Sequence, residues 1–122
     1  MDDWSEDNFG NEGARAYLGV LTARLVATIN EVFADPERTS PDEDGESLLM
    51  PSVEVLALLC ERYNAPPPRP ATIRGWRDKY LAVFDREIDS LDVPPESQMA
   101  RRRVIESTFR WLESLSESYH SR

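Results

Sequence analysis

The stretch TIRGWRDKYLAVFDREIDSL, residues 72–91, decides the fold of this chain. Its large apolar residues recur at steps of three and four, which places them on one face of an α-helix. The residues of that face are Ile73, Trp76, Tyr80, Phe84, Ile88 and Leu91. The charged residues between them fall on the other sides. The stretch therefore predicts an amphipathic helix that packs one stripe against a helical core.

A first helix is predicted over residues 11–34, where apolar residues again line one face. Asn11 is a suitable N-cap, because its side chain can accept a hydrogen bond from the first helical turn. The helix ends at Asp35, since Pro36 disfavours helical geometry in the residue before it.

Two more helices complete the pattern. The second begins at Ser47 or Pro51, ends at Asn64 and is apolar on most sides, which predicts a central position. The fourth covers residues 95–119 and follows a short break, so it should be an antiparallel neighbour of the third. No segment alternates apolar and polar residues as a half-buried strand does. The sequence thus predicts an all-α, single-domain bundle of four main helices over residues 1–122.

Two connections stand out between these helices. Residues 35–47 form a long acidic loop, and a loop of this length in a compact domain is commonly functional or mobile. Residues 65–71 contain four prolines and form a stiff, extended connector. We interpret this connector as a spacer between helices, and the alternative is a ligand for an aromatic-grooved recognition domain.

Negative charge is concentrated in two segments. The chain has 23 acidic and 14 basic residues, for a net charge of -9. Residues 1–12, which include the acidic N-terminal segment 1–10, carry five acidic residues and no basic one. Residues 35–46 carry six acidic residues and one basic one. The rest of the chain is therefore near neutral. The net negative charge lies in these two segments, which we expect at the surface.

The composition argues against several classes of protein. An acidic chain lacks the Lys and Arg surplus that neutralises phosphates, so we expect no nucleic-acid partner. No apolar run approaches the roughly 20 residues that span a bilayer, and the acidic start is unlike a secretory signal. We therefore expect a cytoplasmic protein without a membrane partner. The single cysteine, Cys60, excludes an internal disulfide and a cysteine-rich metal site.

We predict no catalytic residue, no metal site and no cofactor. His120 is the only histidine and lies close to the end of the chain, where a general base would be poorly positioned. Cys60 lies in the most apolar helix, which favours a buried, inert thiol. The segment 42–46 superficially resembles a calcium loop, but Val53 stands where its twelfth-position acid is expected.

Two charged features inside the helices allow a structural interpretation. Glu54 either faces solvent in a stripe with Glu61 or is buried against an arginine of the third or fourth helix, and we favour the exposed position. The run 101–103 consists of three arginines that spread over about 200° of a helix, so they cannot form one flat basic patch. We expect these arginines to form ion pairs.

The N-terminal residues Trp4, Phe9 and Asn11 form a further element. Phe9 precedes the capping Asn11 and can fold back onto the helix, as a hydrophobic staple does. Trp4 can cover the end of the bundle in the same way. We therefore expect a structural role for these three residues.

This element resembles the opening of a bacterial family, domain of unknown function 4259, in which a Trp precedes a Phe-x-Asn-Asp-x-Ala element. The matching residues are Trp4, Phe9, Asn11 and Ala14, with Glu12 in place of Asp. Residues 53–57 are similar to an Ala-Glu-Val-Val-Ala core in the family's second helix. Acidic residues replace the family's glycine-rich turn before Phe9. The resemblance implies a bacterial protein and brings no established activity.

Two functions from different classes fit these observations. The first is a non-enzymatic interaction protein, of the immunity or regulatory type, that binds a basic protein through Asp42, Glu43, Asp44 and Glu46. The alternative is a small enzyme that uses a carboxylate pair in a cleft between helices. The first predicts binding that weakens with salt, and the second predicts two carboxylates in one concave pocket.

Overall fold

The structure is a computed structural model that describes residues 6–121. Its four α-helices are α1 (Glu12–Ala34), α2 (Met50–Tyr63), α3 (Pro70–Glu87) and α4 (Pro95–His120). A π-helical turn, Gly45–Leu49, leads into α2, and a 3-10 turn, Ile88–Leu91, follows α3. Residues 6–121 contain no strand, so the predicted all-α bundle of four main helices is confirmed.

Salt bridges show how α3 and α4 run relative to each other. Arg74 near the start of α3 contacts Glu113 near the end of α4, with 3.1 Å between Nη1 and Oε2. Asp85 near the end of α3 contacts Arg102 near the start of α4. The two helices are therefore antiparallel, as the short connection between them predicts.

Helices α2 and α4 lie side by side and run in the same direction. Glu46, in the turn before α2, bonds to Arg101, and Glu61 near the end of α2 accepts a hydrogen bond from Trp111 Nε1 at 2.8 Å. The main neighbours of α2 are α1 and α4. Because α3 is not among them, the chain between α2 and α3 must cross the end of the bundle.

The proline-rich connector makes this crossing and packs against the end of α4. The carbonyl of Pro68 accepts a hydrogen bond from the buried Ser116 hydroxyl, and the carbonyl of Pro67 lies 3.0 Å from His120 Nε2. Asn64 ends α2 in the left-handed conformation, with φ at 57°, which turns the chain toward the connector. The connector is thus a packed spacer, and α3 begins at Pro70, two residues before the predicted start.

The acidic loop is folded onto the end of α1. Thr39 is buried, and its hydroxyl donates to the carbonyls of Val32 at 2.8 Å and Asp35 at 3.0 Å. Arg38 Nε bonds to Asp44 Oδ2 at 2.7 Å and closes the loop. Side chains within this segment therefore satisfy backbone groups at the end of α1, as a helix terminus requires.

The π-helical turn follows from Pro51. Proline has no N–H, and its ring clashes with the carbonyl four residues back, here that of Ser47. The Met50 N–H bonds instead to the Gly45 carbonyl, five residues back. The helical path therefore begins at Gly45, before either predicted start of the second helix, and Leu49 is buried in the core.

Gly45 is buried where the loop meets α3. A Cβ atom at this position would lie 2.3 Å from the Thr39 carbonyl oxygen, 2.7 Å from that of Ser40 and 2.8 Å from Tyr80 Cε1. Two of these atoms belong to the backbone, so they cannot move aside as a flexible side chain would. Only glycine leaves room for the loop to approach this closely.

Cys60 belongs to the hydrophobic core, in agreement with a buried thiol. Burial raises the pKa of the Cys60 thiol from its ordinary 9.0 to about 11. The thiolate is the reactive form, and this shift alone lowers its fraction at neutral to mildly alkaline pH roughly 100-fold.

We expect native Cys60 to react with dithiodipyridine at least 100-fold more slowly than the same thiol in the urea-unfolded chain. Absorbance of the released thiopyridone measures both rates on the same sample. Equal rates in the native and unfolded chain would contradict the buried position.

Candidate functional site

A shallow acidic depression lies where the loop after α1 meets the end of α3. It is lined by Pro36, Glu37, Ser40, Asp42, Glu43 and Glu87. We call this region the acidic surface. Four of its six lining residues are carboxylates, so the region has a negative potential. Glu87 comes from the last turn of α3, and no pattern in the sequence places it beside the loop.

Two of the three exposed acids of this surface, Asp42 and Glu43, have backbone N–H groups that are bonded within the loop. The Glu43 N–H donates to the Ser40 carbonyl at 2.9 Å, and the Asp42 N–H donates to the Ser40 hydroxyl at 3.3 Å. Neither Asp42 nor Glu43 forms a salt bridge with another residue of 6–121. Both carboxylates therefore remain available on a loop whose backbone is held in place.

The other two acids of the predicted binding set are engaged within the chain. Asp44 is half-buried and bonds to Arg38, and this hydrogen bond raises the pKa of the Arg38 guanidinium. Glu46 lies in the π-helical turn and contacts α3 and α4. The structure therefore brings Asp42 and Glu43 together with Glu37 and Glu87, and it separates them from Glu46.

Glu46, Tyr80 and Arg101 form a polar cluster that we call the Glu46 cluster. Glu46 Oε1 accepts from Arg101 Nε at 2.5 Å, and Oε2 accepts from Arg101 Nη2 at 3.1 Å and from the Tyr80 hydroxyl at 2.5 Å. Tyr80 is fully buried, so its hydroxyl needs such a partner. Both carboxylate oxygens of Glu46 are thus used to join the turn before α2 to α3 and α4.

The same contacts shift the protonation equilibria of the cluster. Burial, followed by the hydrogen bond to Glu46, strongly raises the pKa of the Tyr80 phenol. The hydrogen bond to Glu46 raises the pKa of Arg101 above its ordinary value, against a smaller opposing effect of burial. At neutral pH the Tyr80 phenol is therefore neutral and the Arg101 guanidinium is charged.

A cleft between α2 and α4 adjoins the Glu46 cluster. Its volume is about 400 Å³, and it is lined by Glu46, Met50, Pro51, Glu54, Val55, Arg101, Val104 and Thr108. Glu54 is exposed, the position favoured from its sequence context. The cleft brings together two carboxylates that the sequence separates by two helical turns.

The predicted structural element at the N-terminus is described from residue 6 onward, so Trp4 lies outside the described residues. Asn11 caps α1 as predicted, because its Oδ1 accepts from the Ala14 N–H at 2.8 Å. Phe9 packs against Tyr63 at the end of α2, with 4.6 Å between ring centroids. Phe9 therefore joins two helices, a contact that a staple on its own helix would not make.

Two of the three arginines of the run 101–103 form the expected ion pairs, and Arg103 forms no salt bridge with another residue of 6–121. Arg101 bonds to Glu46, and Arg102 forms two hydrogen bonds of 2.9 Å with Asp85. The hydrogen bonds with Arg102 lower the pKa of the Asp85 carboxyl. Arg103 is exposed.

Among residues 6–121, no group of three or more His, Cys, Asp and Glu side chains is arranged to hold a metal ion.

These features define a four-helix protein with one folded acidic surface and one polar cluster between helices. Comparison of the chain with family models, with curated proteins and with solved structures finds no match. The resemblance to the domain of unknown function 4259 family stays a prediction based on the N-terminal residues that suggested it.

Proposed function

We propose that this chain is a non-enzymatic, cytoplasmic interaction protein, of the immunity or regulatory type, that binds a basic protein on its acidic surface. The observation that carries this proposal is the position of Asp42 and Glu43. Both are exposed, both have a backbone that is held by the folded loop, and neither has an internal cation among residues 6–121. Lysine and arginine side chains of a partner would supply the missing opposite charge.

The fold supports this role because the acidic surface is held in place before binding. Thr39, the Arg38–Asp44 pair and Gly45 hold the loop against the bundle. A preformed surface loses less conformational entropy on binding than a mobile loop does. Glu46, one of the four acids of the predicted binding set, contributes through this scaffold by joining the end of the loop to α3 and α4.

An arginine-rich peptide is the probe that tests this surface directly. We expect Asp42→Asn combined with Glu43→Gln to weaken binding of the peptide about ten-fold, since each exposed charge contributes on the order of 0.5–1 kcal/mol. Isothermal titration calorimetry at low and high salt measures the affinity, and high salt should remove most of the difference.

The matched control changes two exposed acids elsewhere, Glu12→Gln and Glu117→Gln, and so alters the net charge equally. We expect this control to bind the peptide nearly as tightly as the unchanged chain. Equal losses in both variants would show that net charge alone attracts the peptide and would refute a specific surface.

A small enzyme acting with Glu46 and Glu54 is the second candidate function. It is favoured by the presence of both carboxylates in the cleft between α2 and α4. We rank it lower because Arg101 and Tyr80 already bond to both oxygens of Glu46, which leaves that carboxylate poorly placed to accept a proton from a substrate.

A further inference from the structure

The outer face of α1 carries exposed apolar residues and is not covered by the rest of the described chain. Only four of the 23 residues of α1 are buried. Tyr17 is 58% exposed and Val20 is 47% exposed. By length and composition alone, α1 is the one helix within residues 6–121 that could cross a membrane, a test that core helices of other proteins also pass. Part of the apolar surface of α1 therefore remains exposed to solvent.

Two opposite charges lie on this outer face. Arg24 and Glu31 are exposed and seven residues apart, which places them two turns apart on the same side of the helix. Neither forms a salt bridge with another residue of 6–121. The carboxylate of Glu31 acts electrostatically on Arg38, whose guanidinium is bonded to Asp44. Midway between the two charges lie the short side chains of residues 27 and 28, an exposed alanine and a half-buried threonine.

We propose that the outer face of α1 binds a second copy of this chain, with the two α1 helices antiparallel. A two-fold axis between Ala27 and Thr28 places Arg24 of each copy opposite Glu31 of the other. The arrangement forms two identical ion pairs on either side of a crossing point made of short side chains. Short side chains at the crossing let the two helices approach closely. This inference does not depend on the proposed function.

The charge pattern is self-complementary only in the antiparallel arrangement, because a parallel pair would place Arg24 opposite Arg24. This makes a second copy a better occupant of the face than an unrelated apolar surface. The paired charges also set the register, which the short side chains alone would leave free to slide.

Charge reversal tests the proposal. We expect the unchanged chain to dimerise with rising concentration, measured by sedimentation velocity. Arg24→Glu and Glu31→Arg should each raise the dimer dissociation constant about ten-fold or more, because both ion pairs become repulsive. An equimolar mixture of the two variants should recover the dimer, since every contact then joins opposite charges. The doubly reversed chain, R24E with E31R, should recover it too.

Matched controls separate this effect from unfolding and from net charge. Arg103→Glu on α4 changes the net charge as Arg24→Glu does, at an exposed position away from α1, and should leave the dimer intact. Circular dichroism should show the same helical content for every variant. Three results would each overturn the proposal: an unchanged chain that stays monomeric at all concentrations, dimers that persist in both single variants, or single variants that remain monomeric when mixed. Capture of the monomeric chain by vesicles of phosphatidylcholine and phosphatidylglycerol would also overturn it, in favour of a lipid surface.

Discussion

Replacing Gly45 with alanine is expected to lower the free energy of unfolding by about 2–3 kcal/mol. The added Cβ would lie 2.3 Å from the Thr39 carbonyl oxygen and 2.7 Å from that of Ser40, distances that Cβ atoms do not adopt. The loop must move away from the π-helical turn, and this movement also disturbs the packing of Tyr80. Urea denaturation followed by tryptophan fluorescence measures the loss.

Gly75 provides the matched control for this prediction. It lies inside α3, and a Cβ added there meets nothing within 4 Å. Gly75→Ala should therefore raise the stability by about 0.5–1 kcal/mol, because alanine loses less conformational entropy than glycine in a helix. A loss for Gly75→Ala as large as that for Gly45→Ala would contradict the assignment of the effect to the close approach of the loop.

Arg101→Gln should be the second strongly destabilising change, with a loss of about 2 kcal/mol. The change leaves the half-buried Glu46 carboxylate with the Tyr80 hydroxyl as its remaining bonded side chain. Arg101 and Glu46 both keep about a third of their side-chain surface exposed, so the loss falls below that of a fully buried pair. Thermal and urea unfolding report the change.

A double-mutant cycle shows whether this loss comes from the pair itself. Combining Arg101→Gln with Glu46→Gln should recover part of the stability, because the unpaired charge is then removed. Arg103→Gln, two residues along the same helix at an exposed position, should change the stability by less than about 0.5 kcal/mol. Additive losses for Arg101 and Glu46 would argue against a direct interaction between them.

The helices were predictable because their signals are local. The spacing of the apolar residues predicts which face of α3 is buried. The buried residues on that face are Ile73, Trp76, Tyr80 and Phe84. The N-cap at Asn11 follows from side-chain chemistry within one turn. Periodicity and capping depend on residues a few positions apart, so one sequence suffices to recognise them.

The candidate site was less predictable because it depends on distant contacts. Asp42 and Glu43 were visible as an acidic run, but nothing in the sequence places Glu87 beside them or Arg101 against Glu46. Pro51 suits the first turn of a helix and so favours a start at Pro51, and the π-helical turn that begins the helical path at Gly45 is not visible in the sequence. The parallel seam between α2 and α4 has no local signal either.

The crossing made by the proline-rich connector divides the chain into two helical hairpins, α1 with α2 and α3 with α4. Each hairpin joins neighbours in sequence, whereas the bond from Glu46 to Arg101 spans 55 residues. Contacts within a hairpin close a short loop, whereas the contacts between α2 and α4 close a longer one and so cost more loop-closure entropy. The prolines of the connector restrict the backbone of the chain between the two hairpins, and this restriction lowers the entropy that the α2–α4 contacts must overcome.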